Sequence, residues 1–147
     1  MLYKDFLKTI RGCAFCDNDR VVLCDNDRAK LLYALAPYHK HHLLVVPKRH
    51  LELLEELGAE EQEAIDQLID DAVILLRKLK YNNFSILVRD GMEAGKSVPH
   101  LHYHVIPDIR LGDVDHLGAL RRVLDPEEEA ALLKELKEAE KSDLKTA

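Results

Sequence analysis

Residues 100–106 read His-Leu-His-Tyr-His-Val-Ile and place three imidazoles at every second position. Histidine is the side chain whose unperturbed titration falls nearest neutrality, so it can ligate a metal, carry a proton or attack an electrophile at pH 7. In an extended segment successive side chains point to opposite faces, which puts His100, His102 and His104 on one face and Leu101, Tyr103 and Val105 on the other. A lone histidine in a strand is more often a hydrogen-bonded structural residue. Three on one face are hard to explain by packing, because each must be solvated, paired or metallated. The cluster alone leaves metal ligation and nucleophilic attack both open.

The stretch Asp90-Gly91-Met92-Glu93-Ala94-Gly95-Lys96-Ser97-Val98-Pro99 precedes it and points to phosphate. Gly91 and Gly95 let backbone amides approach an anion, and the Lys96 ammonium and Ser97 hydroxyl can reach phosphate oxygens. The loop nearly spells a Walker motif. One residue is missing between Gly91 and Gly95, however, and a proline-bounded strand follows where that motif needs a helix. Cys13-x-x-Cys16 suggests metal or redox chemistry in a reducing compartment, the plainer alternative being two ordinary thiols. The pentapeptide Cys-Asp-Asn-Asp-Arg occurs at residues 16–20 and again at 24–28. It lacks the glycine and distant glutamate of a calcium loop, so both copies read as turns bracketing a short strand. Cys24 reads as packing, and His39 and His41 as exposed loop residues.

These groups need a frame. Short strands are expected at residues 21–23, 30–36, 42–46, 84–89 and 100–106, the third and fifth ended by Pro47 and Pro107. A short helix is expected over residues 3–10, ended by Gly12, and one or two helical turns over 51–57. The clearest helix spans residues 59–79, where Ile65, Leu68, Ile69, Ala72, Leu75, Leu76 and Leu79 keep to one face. Asn82 and Asn83 make a turn. Asp125, Pro126 and the acids 127–129 open a last helix that runs to about residue 141. Single helices among short strands imply an α+β fold on a mainly antiparallel sheet of about five strands, with one long helix and a C-terminal helix.

With 147 residues, 33% charged and 47% hydrophobic, the chain suits one compact domain. The expected division is a loop to residue 20, the main body, and an extension from 108. A net charge of −6 argues against duplex nucleic acid as a partner, which needs a basic face, but leaves room for one phosphate pocket. The apolar runs are too short to span a bilayer, and residues 1–6 lack the order of a secretion signal, so a cytoplasmic address and no membrane partner are expected.

The segment from Arg89 to Pro107 resembles the histidine triad family, whose signature is His-x-His-x-His flanked by apolar residues. Its Asp-Gly-x-Glu-Ala-Gly loop is similar to the fragile histidine triad branch, the dinucleoside polyphosphate hydrolases. Residues 42–50, His-Leu-Leu-Val-Val-Pro-Lys-Arg-His, resemble the family's other signature strand, and Cys13-x-x-Cys16 the amino-terminal pair of its zinc-bearing members. The resemblance implies that His102 is the nucleophile, forming a nucleotidyl-imidazole that water hydrolyses, with a backbone carbonyl near His100 holding the other ring proton. It implies phosphate contacts from His42, Arg89, Gly95, Lys96, Ser97 and His104, and a structural zinc ion on Cys13, Cys16, His50 and His100, a set that suits tetrahedral zinc. A nucleotide substrate and a homodimer are implied too. Lys96 stands where the family usually has glutamine and Arg89 where a neutral amide is common, so both extra cations are expected to favour a more highly charged substrate. Ala34 replaces the branch's asparagine. Glutamine at the position of His104 would mark the related uridylyltransferases, so hydrolysis is expected over transfer of their kind; transfer to phosphate and a non-catalytic nucleotide-binding adaptor stay open as alternatives.

Overall fold

A computed structural model describes residues 1–10, 12–16, 22–91, 98–109 and 121–141. Five strands form one sheet: β1 (Val22–Asp25), β2 (Ala29–Tyr33), β3 (Leu43–Pro47), β4 (Phe84–Val88) and β5 (Tyr103–Pro107). Their order is β1-β2-β3-β5-β4, and every neighbouring pair is antiparallel. The helices are α1 (Tyr3–Leu7), α2 (Ala59–Lys78) and α3 (Pro126–Glu140), with a 3-10 turn at Leu54–Glu56. The expected α+β architecture is therefore present. Most strands are a residue or two shorter than the apolar pattern suggests, because pairing ends where the partner strand does.

The turn expected at residues 24–28 is built by Asn26, whose Oδ1 accepts from the amides of Arg28 and Ala29 at 3.1 and 2.9 Å. Its twin at residues 17–20 lies outside the described residues. At the end of α2 the reversal is made by Lys80 at φ 74°, one residue past the cap Leu79, and not by the asparagines that follow. At α3, Pro126 takes the first helical position, and the amide of Asp125 donates to Glu128 Oε1 at 3.2 Å.

Period-two alternation along β2, β3 and β5 sorts the sheet into two faces. Ala29, Leu31, Tyr33, Leu43, Val45 and Val105 meet Ile65, Leu68, Ala72, Leu75 and Leu76 of α2 and Leu133 and Leu136 of α3 in the main core. Each fully buried leucine, isoleucine or valine among them contributes roughly 1.5–3 kcal/mol. On the opposite face Leu32, Ala34, Leu44 and Val46 pack against Cys13, Ala14, Phe15 and Val98. His104 pairs with Leu44 and so belongs to this second face, away from α2. Among the described residues no helix is long and apolar enough to cross a membrane.

The segment leaving β3 is tied to the start of α2 by Arg49, whose Nε and Nη2 donate to the two carboxylate oxygens of Glu61 at 3.1 and 2.6 Å. Glu61 Oε1 also accepts from the Gly58 amide at 3.0 Å. The Arg49 side chain first, then that amide, lower the Glu61 carboxyl from 4.5 to about 2. Its folded value lies below its unfolded one, so the stabilisation is complete above about pH 4.5 and is lost as the pH falls through about 2. Thermal melts across this window should decline less steeply for Glu61→Gln than for the parent chain; parallel curves would show that the carboxylate is not so held.

Candidate functional site

The hydrogen-bonded part of the histidine segment is shorter than alternation suggests: β5 begins at Tyr103, so His100 and His102 precede it and only His104 lies within. The alternation itself survives. Leu101 is fully buried and its amide donates to Leu51 O at 2.7 Å, while the three imidazoles line up on the face opposite α2. Phe15 packs against His100 and His102 at ring separations of 5.5 and 5.2 Å. His102 then lies 4.9 Å from His104, His104 5.0 Å from His42, and His42 5.2 Å from Tyr38 in a near-parallel stack. The result is a continuous row of rings.

Hydrogen bonds assign the protons along that row. His102 Nδ1 lies 2.8 Å from the His100 carbonyl oxygen, which can only accept, so Nδ1 carries the hydrogen and the lone pair sits on Nε2. The Tyr38 amide donates to His42 Nδ1 at 3.1 Å, which puts the His42 proton on Nε2. That nitrogen donates to His104 Nδ1 at 2.8 Å, so His104 in turn carries its hydrogen on Nε2. The chain requires neutral rings. Burial first, then the charge of Arg121, pushes His42 well below its ordinary value, and burial with the neighbouring His42 does the same to His104.

A second cluster occupies the other end of the row. Cys13 Sγ and Cys16 Sγ lie 3.3 and 3.4 Å from His100 Nδ1, and Cys16 Sγ lies 3.4 Å from His50 Nδ1. All four donor atoms fall within 4.8 Å of one another. Two thiolates and two imidazoles arranged tetrahedrally about zinc would place sulfur and nitrogen about 3.5 Å apart, so the observed spacing suits a small ion. His100 Nε2 donates to Pro47 O at 2.9 Å, which turns the lone pair of Nδ1 toward the sulfurs. The Cys16 amide donates to Cys13 Sγ at 3.3 Å. These four residues can hold a metal ion.

His42, His102 and His104 line a recess whose apolar wall includes Ile10, Ala14, Phe15, Ala34, Leu44 and Val98. Tyr3, Tyr38 and Arg121 line it as well. Arg89 is not among the lining residues; its Nη1 donates to Tyr38 Oη at 3.2 Å, one ring removed. Gly95, Lys96 and Ser97 lie outside the described residues. Phe15, Tyr38 and Arg121 were not singled out by sequence reasoning. Phe15 stands between the two cysteines, and that placement was an available signal; Arg121 lies in a tail with no motif.

His41 corrects an expectation. It is not an exposed loop residue but 1% exposed, with its backbone at φ 65°. Its amide donates to Tyr33 Oη at 2.7 Å, and its Nε2 faces Glu135 Oε2 of α3 at 3.3 Å. A left-handed residue one position before His42 redirects the chain into β3, and histidine tolerates this conformation better than most. Burial outweighs the Glu135 carboxylate and lowers His41 from 6.5 to about 4, with Lys40 adding to the decrease. His39 is half-buried, edge-on to Tyr81.

A family model described as the HIT domain matches residues 16–111. The chain is 35% identical over 102 residues to an uncharacterized HIT-like protein of Methanocaldococcus jannaschii, a match that covers 69% of this chain and 76% of that one. It is 34% identical over 95 residues to a bis(5'-adenosyl)-triphosphatase of Saccharomyces cerevisiae, covering 61% of this chain. The chain spans 46% of the yeast protein's length. The crystal structure of a zinc-bound histidine triad family protein from Mycobacterium smegmatis superposes with a TM-score of 0.66 at 26% identity, over 90% of this chain and 98% of that one.

The buried neutral imidazoles carry a stability signature. An unfolded His41 takes a proton near pH 6.5 but the folded one only near 4, so its contribution is complete above 6.5 and is lost as the pH falls through about 4. His41→Asn keeps a residue tolerant of the left-handed backbone, and its melting temperature should fall less between these values than that of the parent; an equal fall would place the signature elsewhere.

Proposed function

The chain belongs to the HIT domain family, and from that membership we propose that it hydrolyses nucleoside phosphates through a covalent nucleotidyl intermediate on His102. The observation that carries this reading is the 2.8 Å hydrogen bond from His102 Nδ1 to the His100 carbonyl. It holds the ring in the tautomer whose Nε2 has a lone pair, inside a recess lined by His42 and His104. Resemblance to an enzyme named for cleaving a bis(5'-adenosyl) triphosphate supports a dinucleoside polyphosphate as substrate.

In this mechanism His102 Nε2 attacks the innermost phosphorus. A nitrogen–phosphorus bond forms as the bond from phosphorus to the bridging oxygen breaks, and the electron pair leaves on that oxygen. Water then attacks the same phosphorus from the side vacated by the leaving group. Its oxygen bonds to phosphorus, the nitrogen–phosphorus pair returns to Nε2, and a water proton passes to solvent. His104 Nε2–H is positioned as a donor to a non-bridging oxygen, and its proton is held there by the relay from Tyr38 through His42. The family resemblance assigns Gly95, Lys96 and Ser97 to the rest of the anion site, and Arg89 acts on it from behind Tyr38, to whose Oη it donates. The apolar wall near Phe15 and Val98 seats the nucleoside.

Zinc is the ion proposed for Cys13, Cys16, His50 and His100. With four protein ligands it would be structural, joining the amino-terminal loop to the segment that carries His102. His100 serves both functions: its ring faces the sulfurs and its carbonyl aims the His102 ring.

Incubation with a dinucleoside polyphosphate followed by acid quench should yield protein carrying one nucleotide mass on His102, and His102→Gly should abolish both the adduct and turnover. Turnover that survives the substitution would exclude the mechanism. With diadenosine tetraphosphate the products should be AMP and ATP whether or not inorganic phosphate is added; ADP formed only with added phosphate would assign phosphorolysis instead. Protein purified without added metal should contain zinc near one equivalent by elemental analysis, and Cys16→Ser should lose most of it. A metal-free, folded and active preparation would remove zinc from the account.

A further inference from the structure

Tyr38 lies in the connection from β2 to β3, so no ladder of sheet hydrogen bonds fixes its place. Its amide donates to His42 Nδ1 at 3.1 Å, and its ring stacks on the His42 ring at 5.2 Å with 13° between the planes. Most of what holds it comes from residues 121–124, outside the segment matched to the family, residues 16–111. Arg121 Nη1 donates to Ala36 O at 2.7 Å, and the Leu124 amide donates to Leu35 O at 2.9 Å. The Arg121 guanidinium lies over the Tyr38 ring, with Cζ 3.9 Å from its centroid. Arg89 adds the bond to Tyr38 Oη. Residues 1–3 hold the anchoring segment in turn: Leu2 bridges Arg122, the Tyr3 amide donates to Arg121 O at 2.9 Å, the Val123 amide donates to Met1 O at 2.8 Å, and the Tyr3 ring centroid lies 4.5 Å from Arg121 Cζ.

A neutral imidazole has two tautomers, and the hydrogen bonds around it choose between them. At His42 the choice falls to the Tyr38 amide, which can only donate and so requires a lone pair on Nδ1. The choice is then passed on. Were that amide to withdraw, the His42 hydrogen could move to Nδ1; Nε2 would accept from His104 Nδ1–H across the same 2.8 Å contact, and His104 Nε2 would present a lone pair where it now presents a hydrogen. Each ring keeps one hydrogen in both states, so the exchange costs no net proton. An anionic oxygen is bound by the first state and repelled by the second. Burial first, and then the charge of Arg121, hold His42 well below its ordinary value, which keeps a second hydrogen off the ring and leaves the tautomer to the hydrogen bonds.

We propose that Arg121 and Tyr38 are positioning residues: the pairing of residues 1–3 with residues 121–124 seats Arg121 on Tyr38, and Tyr38 thereby keeps the hydrogens of His42 and His104 on Nε2. The consequence for catalysis rests on the nucleotidyl transfer proposed above, whereas the placement of the hydrogens does not.

Long-range proton–nitrogen correlation NMR on the metal-replete full chain, with isotopically labelled histidine, reports the protonated nitrogen of each ring. In the parent, His42 and His104 should be Nε2–H tautomers and His102 the Nδ1–H tautomer. Arg121→Gln should move His42 and His104 toward Nδ1–H and leave His102 unchanged, and Arg121→Lys, which keeps a cation at the ring, should restore part of the parent pattern. Arg122→Gln is the control for a merely structural tail, since it removes the ion pair with Glu128 and leaves Tyr38 untouched; its pattern should match the parent. An unchanged pattern in Arg121→Gln, or the same change in Arg122→Gln, would overturn the proposal. Should Arg121→Gln not fold, Tyr38→Leu should mix the tautomers and Tyr38→Phe should not, and parent patterns in both would overturn it equally. With a dinucleoside polyphosphate, kcat should fall roughly 10- to 100-fold in Arg121→Gln, the loss of one charge-assisted hydrogen bond, with KM changed far less. If Arg121→Gln moves the tautomers but the parent turns over no nucleotide, the hydrolase reading fails and the positioning stands. If turnover through His102 is found while the tautomers ignore Arg121, the positioning fails and the hydrolase reading stands.

Discussion

The site depends on His100, a residue with three simultaneous attachments. Its Nε2 donates to the Pro47 carbonyl at the end of β3, its Nδ1 faces the sulfurs of Cys13 and Cys16, and its carbonyl receives the proton of His102 Nδ1. Each attachment limits the others, because a ring held at both nitrogens fixes the peptide that follows it. That peptide decides which nitrogen of His102 has the lone pair. Tautomer control through a fixed acceptor costs a buried site little, since a buried Nδ1–H needs an acceptor in any case.

The sheet separates this chemistry from the bulk of the hydrophobic core. One face of β2, β3 and β5 is covered by α2 and α3, and the other by the amino-terminal segment and Phe15. A one-residue slip of β5 would turn His104 into the α2 core and Tyr103 and Val105 onto the opposite face, so the pairing of His104 with Leu44 decides which face carries the ring. Charge is divided in the same way. The chain bears −6 overall, yet the described lining of the recess has a single formal charge, and it is positive. Acids outnumber bases in the chain as a whole, while the described wall of the recess is built from uncharged side chains and one guanidinium.

Much of this was legible in the sequence for definite reasons. The helical period of Ile65, Leu68, Ala72, Leu75 and Leu76 has no other economical interpretation, and all five are buried against the sheet. Alternation of His100, His102 and His104 placed the rings on one face even though the hydrogen-bonded strand starts only at Tyr103. The Cys13, Cys16, His50 and His100 set comes together in space as the family resemblance implied. Local pattern failed where a distant partner decides the outcome. His41 looks like loop because its neighbours are polar, but Tyr33 and Glu135, far apart in the chain, enclose it.

Sequence alone determined the reactive groups and their facing, since side-chain type and the two-residue repeat of an extended chain are local properties. Tertiary structure alone decided which nitrogens hold protons, through contacts such as Tyr38 N to His42 Nδ1 and His42 Nε2 to His104 Nδ1. It also decided that Arg121, from a tail without any recognisable motif, joins the site. That placement arises from pairing between the first and the later part of the chain, a long-range contact that no periodicity encodes.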